Sequence, residues 1–448
     1  MSVKISLIGA GSGTFSINLV KDLCLARNLA DSTISLMDVD EERLNDVYRF
    51  CVRYAEEVGA ALKIEKTMDR KESMRNADFV VNTALVGGYC RLWDGWKIAK
   101  KWGYHFGGSF HIVHDEAFWV NFYQIKLMEE IYLDIQKVCP NAWYVLVANP
   151  VMAGTTYLQR KYPGIRMVGM CHGYGGVYWL AKLLGMDREK MNFQAPGINH
   201  FVWLNSFTYE GRDAFEILDQ WIAKHSDEYF KTCPASDQFG PKPIDLYQKY
   251  GVMPIGDTCT PGGGSWGWWY HADTDVQRRW KEDPDAWYEK GFSDAANNVK
   301  RIHDAAWDKG RPVSQVFSTI SSDEPMVPLI EALACDIPRV VIVNTLNDHE
   351  YVQGVPRDFE VEIPAYVSKR GIQGIQTKPL PKPVLNHMLH DRIAPVETEL
   401  CAFSQRSREL LIQLIMMDPY TKSREQAEGF LKELFELPYL KEMKEYYK

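Results

Sequence analysis

Cys171-His172-Gly173-Tyr174 is the stretch of this chain with the most chemistry to offer, and Gly197-Ile198-Asn199-His200 follows about one supersecondary unit later. A thiolate at the C-terminal end of a strand, facing a helix N-terminus, is stabilised by the helix dipole. A cysteine and a histidine brought together from separate turns can hold one divalent metal and leave its other positions open to substrate. A cysteine at a strand end also serves plain packing, so the surrounding elements must decide between the two readings.

Those elements follow from the apolar pattern. Residues 165–170 read as a buried strand, ended by Gly173, Gly175 and Gly176, with a helix starting near Val177. Residues 3–8 read as a buried parallel strand. Gly9-Ala10-Gly11-Ser12-Gly13-Thr14 follows, and then an amphipathic helix over 15–26. Such a turn lets the backbone approach a pyrophosphate, and the helix N-terminus supplies unpaired N–H donors. The usual spacing asks for glycine where Thr14 stands, so the match is incomplete. A second strand, 33–37, ends at Asp38, where a carboxylate binds the ribose hydroxyls of an adenosine and repels a 2′-phosphate. Gly9, Gly11, Ser12, Gly13, Thr14 and Asp38 are therefore the expected cofactor contacts, with NAD favoured over NADP.

The alternation continues with a helix over 41–58, a strand over 77–83, a loop over 85–88, a helix over 115–138 and a strand over 143–148 closing on Asn149-Pro150. In a doubly wound sheet ligands lie beyond the carboxyl ends of the strands, which puts Asp38, Asn82, Asn149 and Cys171 at one edge. Past residue 190 the pattern changes. A mixed β region over 192–204 contains His200, and a helix covers 213–225. A glycine- and tryptophan-rich stretch over 250–270, with Asp257 and Ser265, reads as an active-site wall. A helix over 285–307, strands over 340–344 and 360–367, and helices over 395–417 and 423–435 complete the pattern. The expected fold is α/β: a Rossmann-like doubly wound domain over 1–190 and a second α+β domain over 191–448, packed without a flexible linker.

Composition narrows the function classes. A net charge of −8 over 448 residues argues against nonspecific nucleic-acid binding. No apolar run is long enough to span a membrane. The chain enters a strand directly, without a signal-peptide pattern, and its nine cysteines form no CxxC pair, so reduced thiols and a cytoplasmic location are expected. Trp266-Gly267-Trp268-Trp269-Tyr270 reads equally as a sugar-stacking surface and as core packing.

Gly9-Ala10-Gly11-Ser12, Asn82-Thr83-Ala84 before Val86-Gly87-Gly88, Asn149-Pro150, the Cys171 motif, Asn199-His200-Phe201, and Asn344 with Val361-Glu362-Ile363-Pro364-Ala365 together resemble family 4 of the glycoside hydrolases. They come in the family's order and span most of the chain. The resemblance implies a fold like that of lactate and malate dehydrogenases. It also implies an NAD-dependent glycosidase chemistry unlike that of other glycosidases. In that chemistry the sugar's C3 hydroxyl gives a hydride to NAD⁺ and a base removes the C2 proton. The aglycone then leaves by elimination, water adds, and the hydride returns. A divalent metal, usually Mn²⁺, is held by the C2 and C3 oxygens. By resemblance Cys171 and His200 are the metal ligands, Asn149 contacts the sugar hydroxyls, His172 is the acid near the leaving oxygen, and Asp257 is the base. The Cys-His-Gly-x form, here with Tyr174, resembles the α-glucuronidase branch and implies an α-linked hexuronide, with α-galacturonide and neutral α-hexosides as alternatives. Arg91, after Gly88, is available as a cation for a uronate carboxylate, but reads first as a surface arginine. A small sugar is the expected partner of a homodimer or homotetramer. The rival readings are an NAD-dependent hydroxy-acid dehydrogenase and a non-catalytic NAD sensor, neither of which needs Cys171, His200 and Asp257 together.

Overall fold

The computed structural model describes residues 1–104, 117–260, 266–317, 319–322 and 324–448. Six parallel strands form its first half: β1 (Lys4–Ile8), β2 (Thr33–Met37), β3 (Lys63–Thr67), β4 (Phe79–Asn82), β5 (Trp143–Leu146) and β6 (Met167–Gly169). They lie in the order 3-2-1-4-5-6, that of a dinucleotide-binding sheet. Ile5, Leu7, Val80, Val145 and Leu146 are fully buried, as strands covered by helices on both faces require. The covering helices are α1 (Thr14–Leu25), α2 (Glu41–Glu57), α3 (Arg70–Met74), α4 (Gly88–Lys101), α5 (Phe118–Val138) and α6 (Val151–Lys161).

The second half supplies β7 (Met191–Gln194), β8 (Gly197–Ile198), β9 (Phe201–Leu204), β10 (Ser206–Tyr209), β11 (Arg212–Asp213), β12 (Met253–Ile255), β13 (Arg339–Leu346), β14 (Glu360–Ser368) and β15 (Gly371–Gly374). β13 pairs antiparallel with β6, β14 with β13, and β8, β9 and β12 continue outward. Strands from both sides of residue 190 therefore share one sheet, while β7, β10 and β11 form a small separate one.

Four expectations shift. β3 was not foreseen from the pattern, because Lys63-Ile64-Glu65-Lys66-Thr67 is a charged, half-exposed edge strand with no apolar run; its pairing with β2 makes it a strand. Gly87 and Gly88, read as a loop, instead start α4: Gly87 caps it at φ 74°, and the helix runs on to Lys101. The single helix expected over 395–417 is two, Ala394–Gln405 and Arg408–Met416, because Arg406 turns left-handed at φ 56° and Ser407 caps the second. The helix expected from 115 is seen from Phe118; residues 115 and 116, like Ser265, lie outside the described residues.

Asn82 ends β4 at the functional edge, yet its amide is spent on the fold. It donates to the Tyr144 hydroxyl at 3.0 Å and accepts from the Ala84 N–H at 3.0 Å, fully buried. Gln124 on α5 does similar work: it donates to the carbonyls of Ala84 and Asn149 and accepts from the Val86 N–H, tying the loops after β4 and β5 to one helix. Asn82→Leu keeps the volume, takes the acceptor from the part-buried Ala84 N–H, and leaves the Tyr144 hydroxyl only its 3.4 Å bond to the Met128 carbonyl. It should lower the unfolding free energy by about 1–3 kcal/mol, the cost of one orphaned polar group. An unchanged chemical-denaturation midpoint would mean that Asn82 is not a structural residue.

Candidate active site

β6 ends at Gly169, and Cys171 follows at the sheet's carboxyl edge. The Gly173 N–H donates to its Sγ at 3.4 Å, and the thiol is hydrogen-bonded to the His200 imidazole. Burial pushes the thiol pKa up, Glu362 adds to the rise, and His200 opposes it. Helix α7 (Gly176–Leu183) starts just beyond, as the glycine-rich break predicts.

His200 comes from a different kind of element. Ile198 pairs with Phe201, so Asn199 and His200 are the whole connection between β8 and β9. His200 takes φ 60°, a left-handed conformation that histidine adopts more readily than most side chains, and it is buried.

Asp257 lies on a short 3₁₀ turn, Gly256–Cys259, directly after β12. Its Oδ2 is 3.5 Å from His200 Nε2. Two contacts fix that turn. Gly256 sits at φ 59° where a Cβ would fall 2.4 Å from the Gly173 carbonyl, so only glycine lets this turn rest on the Cys171 turn. The Thr258 hydroxyl both accepts from the Val202 N–H and donates to the Val202 carbonyl, pinning the turn to β9 two residues beyond His200. Cys171, His200 and Asp257 thus converge from three separated parts of the chain. Among the described residues no group of three or more His, Cys, Asp and Glu side chains closes into a cage for a metal ion. The pair Cys171 and His200 fits instead an open site, of the kind that substrate oxygens complete.

The other predicted residues stand around this centre. His172 is largely exposed: its ring lies 6.2 Å from that of Phe15 on α1, and its Nδ1 is 3.5 Å from Glu324 Oε1. Glu324, not singled out in the sequence, is pushed up by burial, an effect that His172 opposes. Asn149 follows β5 at the same edge, with its Oδ1 accepting from the Val151 N–H at 3.5 Å. The glycine turn after β1 is built as expected. Gly9 takes φ 87° and its N–H donates to the Met37 carbonyl, while the Gly11 N–H donates to Asp38 Oδ2 at 2.7 Å. The Ser12 hydroxyl is buried with no hydrogen-bond partner among the described residues, beside the start of α1. An orphan donor at a helix N-terminus suits a phosphate. Gly13 and Thr14 lead into α1, with Thr14 exposed.

Two features read as possible sugar contacts prove to be packing. Arg91 stacks against the rings of Tyr123 and Tyr439, at 5.1 and 5.0 Å. Trp266 and Tyr270 are core residues; Trp266 packs on Phe201 and Trp203 and donates to the Thr258 carbonyl, backing the Asp257 turn. Only Trp268 of that cluster ranks among the exposed large side chains.

Sequence reading assigned no role to Glu362. It is 1% exposed, and burial pushes its pKa up to about 7 from the ordinary 4.5. The folded protein therefore holds this proton more tightly than the unfolded chain, and stability should fall as pH rises from about 4.5 to about 7, then level off. Glu362→Gln should remove that part of the pH dependence in metal-free, NAD-free protein. Denaturation midpoints with the same pH slope in both proteins would count against it.

A profile of the family 4 glycosyl hydrolases matches residues 4–186, and one of the family 4 glycosyl hydrolase C-terminal domain matches residues 195–421. An α-glucosidase of Erwinia rhapontici is 25% identical, over 93% of this chain and 94% of its own. An α-galacturonidase of Thermoanaerobacterium saccharolyticum is 24% identical, over 97% of this chain and 95% of its own. The crystal structure of a 6-phospho-α-glucosidase from gut microorganisms, in complex with NAD and Mn²⁺, superposes with a TM-score of 0.78 at 17% identity over 98% of each chain. The two profile matches take in most of the sequence, and the chain belongs to the family 4 glycosyl hydrolases, as its motifs implied.

Proposed function

We propose that this enzyme is an NAD- and divalent-metal-dependent glycosidase that cleaves α-linked hexuronides. The observation that carries the reading is the meeting of Cys171, His200 and Asp257 at the carboxyl edge of a dinucleotide-binding sheet, with Asp257 3.5 Å from His200. When bound, NAD supplies a reversible hydride acceptor for the sugar's C3, and a divalent cation such as Mn²⁺ supplies a Lewis acid for the C2 and C3 oxygens. The structurally similar 6-phospho-α-glucosidase holds both groups.

The residues divide the remaining work. Asp38, the turn built by Gly9, Gly11, Ser12 and Gly13, and Thr14 at the start of α1 bind and orient the dinucleotide, the glycines by letting the backbone come close and the buried Ser12 hydroxyl as a donor. Cys171 and His200 hold the cation. Burial keeps the thiol protonated on its own, so Cys171 acts as a thiolate only with a positive charge against it. Asn149 orients the sugar hydroxyls from the end of β5. Asp257 takes the C2 proton once C3 is oxidised, because a carboxylate beside the reacting carbon is a competent general base. His172 protonates the leaving oxygen. Glu324 faces its Nδ1, which leaves Nε2 for the aglycone side.

The uronate preference rests on the Cys-His-Gly-Tyr form of the motif and is supported by the α-galacturonidase relative, while the α-glucosidase relative supports a neutral α-hexoside as the second reading. In a panel of aryl glycosides with NAD⁺, Mn²⁺ and reductant, an α-hexuronide should be cleaved at least tenfold better by kcat/KM than the matching hexoside. That is about 1.4 kcal/mol, within reach of one charge-assisted hydrogen bond. Equal or better cleavage of the neutral sugar would move the substrate to the second reading.

Turnover in D₂O tests the chemistry itself. Product should carry deuterium at C2, and Asp257→Asn should suppress both turnover and exchange, because an amide cannot accept the proton. A fully protonated C2 by NMR after complete turnover would exclude elimination. Stoichiometric NADH with a keto product would mark a dehydrogenase instead.

A further inference from the structure

The Val361-Glu362-Ile363-Pro364-Ala365 motif has no part in the chemistry above, yet its carboxylate lies beneath it. Four residues stand in register across four strands: Gly169 of β6 opposite Asn344 of β13, Asn344 opposite Glu362 of β14, and Glu362 opposite Gly197 of β8. Residues paired in register project to the same face of a sheet. The two outer members have no side chain, and a Cβ on Gly169 would fall 2.9 Å from the Asn344 Cβ, while one on Gly197 would fall 2.0 Å from the Phe201 carbonyl. The two inner members fill the face between them. Cys171 lies two residues beyond one end of this row, and Asn199 and His200 lie just beyond the other.

Hydrogen bonds converge on Asn199, the residue before His200. Its Nδ2 donates to Glu362 Oε2 at 3.2 Å and to Asn344 Oδ1 at 3.2 Å. Asn344 Nδ2 donates to the same Glu362 oxygen at 3.0 Å. The Asn199 backbone N–H donates to Glu360 Oε2 at 3.1 Å, two positions earlier on β14. All four residues are essentially without solvent exposure. The next residue, His200, holds a left-handed φ of 60° in the two-residue connection between β8 and β9.

We propose that Glu362 is a positioning residue for His200, acting through Asn199: its carboxyl oxygen gathers the Asn199 and Asn344 amides and thereby sets the turn that aims the imidazole at Cys171. The role needs an acceptor at that reach and asks nothing of its charge. It rests on the reading of His200 as a metal ligand.

The test uses NAD⁺-loaded enzyme with Mn²⁺ titrated by EPR. Cys171→Ser should abolish Mn²⁺ binding in the otherwise native enzyme; unchanged binding there would sink the ligand assignment. Glu362→Gln presents the same acceptor without the charge and should bind Mn²⁺ within threefold of the native enzyme. Glu362→Asp keeps the charge but withdraws the acceptor by one methylene, and should bind at least tenfold more weakly. NAD⁺ affinity should stay within twofold in both, which a general loss of structure would not allow. In metal-free enzyme with labelled histidine, the His200 ring resonance should move in the Asp variant and stay in the Gln variant, a readout independent of whether any metal binds. Glu360→Asp, which withdraws the acceptor of the Asn199 N–H, serves should Glu362→Asp fail to fold, and carries the same expectation. Equal weakening by Gln and Asp, or an Asp variant with native Mn²⁺ affinity and an unmoved His200 resonance, would overturn the proposal.

Discussion

The site depends on two backbone turns touching. Gly256 rests against the Gly173 carbonyl at a separation that leaves no room for a side chain. At Gly176, at the start of α7, a Cβ would fall 2.9 Å from the Ile255 side chain and 3.0 Å from the Gly256 nitrogen. A side chain at either place would force the Asp257 turn off the Cys171 turn. Because a carboxylate, an imidazole and a thiol lose their joint chemistry when displaced by about an ångström, this steric constraint ranks above any single polar contact around it. The Thr258 hydroxyl, bonded twice to Val202, keeps the same turn from sliding along β9.

A second layer supports the first. Behind the Asp257 turn, the buried Lys242 ammonium donates to the Thr260 carbonyl at 3.3 Å and pairs with Glu282 at 2.8 Å, so the chain just after the turn is held by a desolvated ion pair. Removing one partner of such a pair leaves an uncompensated buried charge, a far larger loss than for a surface pair. Behind Phe201, Trp266 and Trp203 pack edge to face, and the Arg392 guanidinium lies 5.7 Å from the Phe201 ring. Trp266, from the stretch that suggested a sugar platform, thus stiffens the wall from inside.

Much of this was legible in the sequence, for reasons that differ by residue. β2 was readable because a buried parallel strand is a short apolar run with sharp ends, and it spans Thr33–Met37 as expected. Cys171 and His200 were a weak signal as strand-end residues, since such a cysteine also serves packing; the motifs around them and the resemblance marked them as a pair, and the fold brings them together. Asp257 was placed only by resemblance, in a loop whose course no local pattern dictates; its nearness to His200 comes from glycine contacts formed by residues far apart in sequence. Glu362 was invisible as a support, because its partners Asn199 and Asn344 reach it through strand register, and register across β6, β13, β14 and β8 is a property of the whole sheet. β3 and the break at Arg406 escaped for a related reason: edge pairing and a left-handed turn at an arginine leave no hydrophobic signature.

The single sheet shared by the two halves has a dynamical consequence. β6 passes to β13 without a gap, and α6 is bonded across the same join: Thr156 accepts from the Glu360 N–H, Gln159 accepts from the Leu346 N–H, and Arg160 forks onto Glu397. Many two-lobed enzymes swallow their substrates by swinging one lobe on a hinge. Here such a swing would break the β6–β13 pairing, the α6 bonds and a bidentate ion pair together. The shared sheet thus opposes a lobe swing and leaves a sugar's entry and exit to the loops along its carboxyl rim, since loop motions are faster and smaller than those of a lobe.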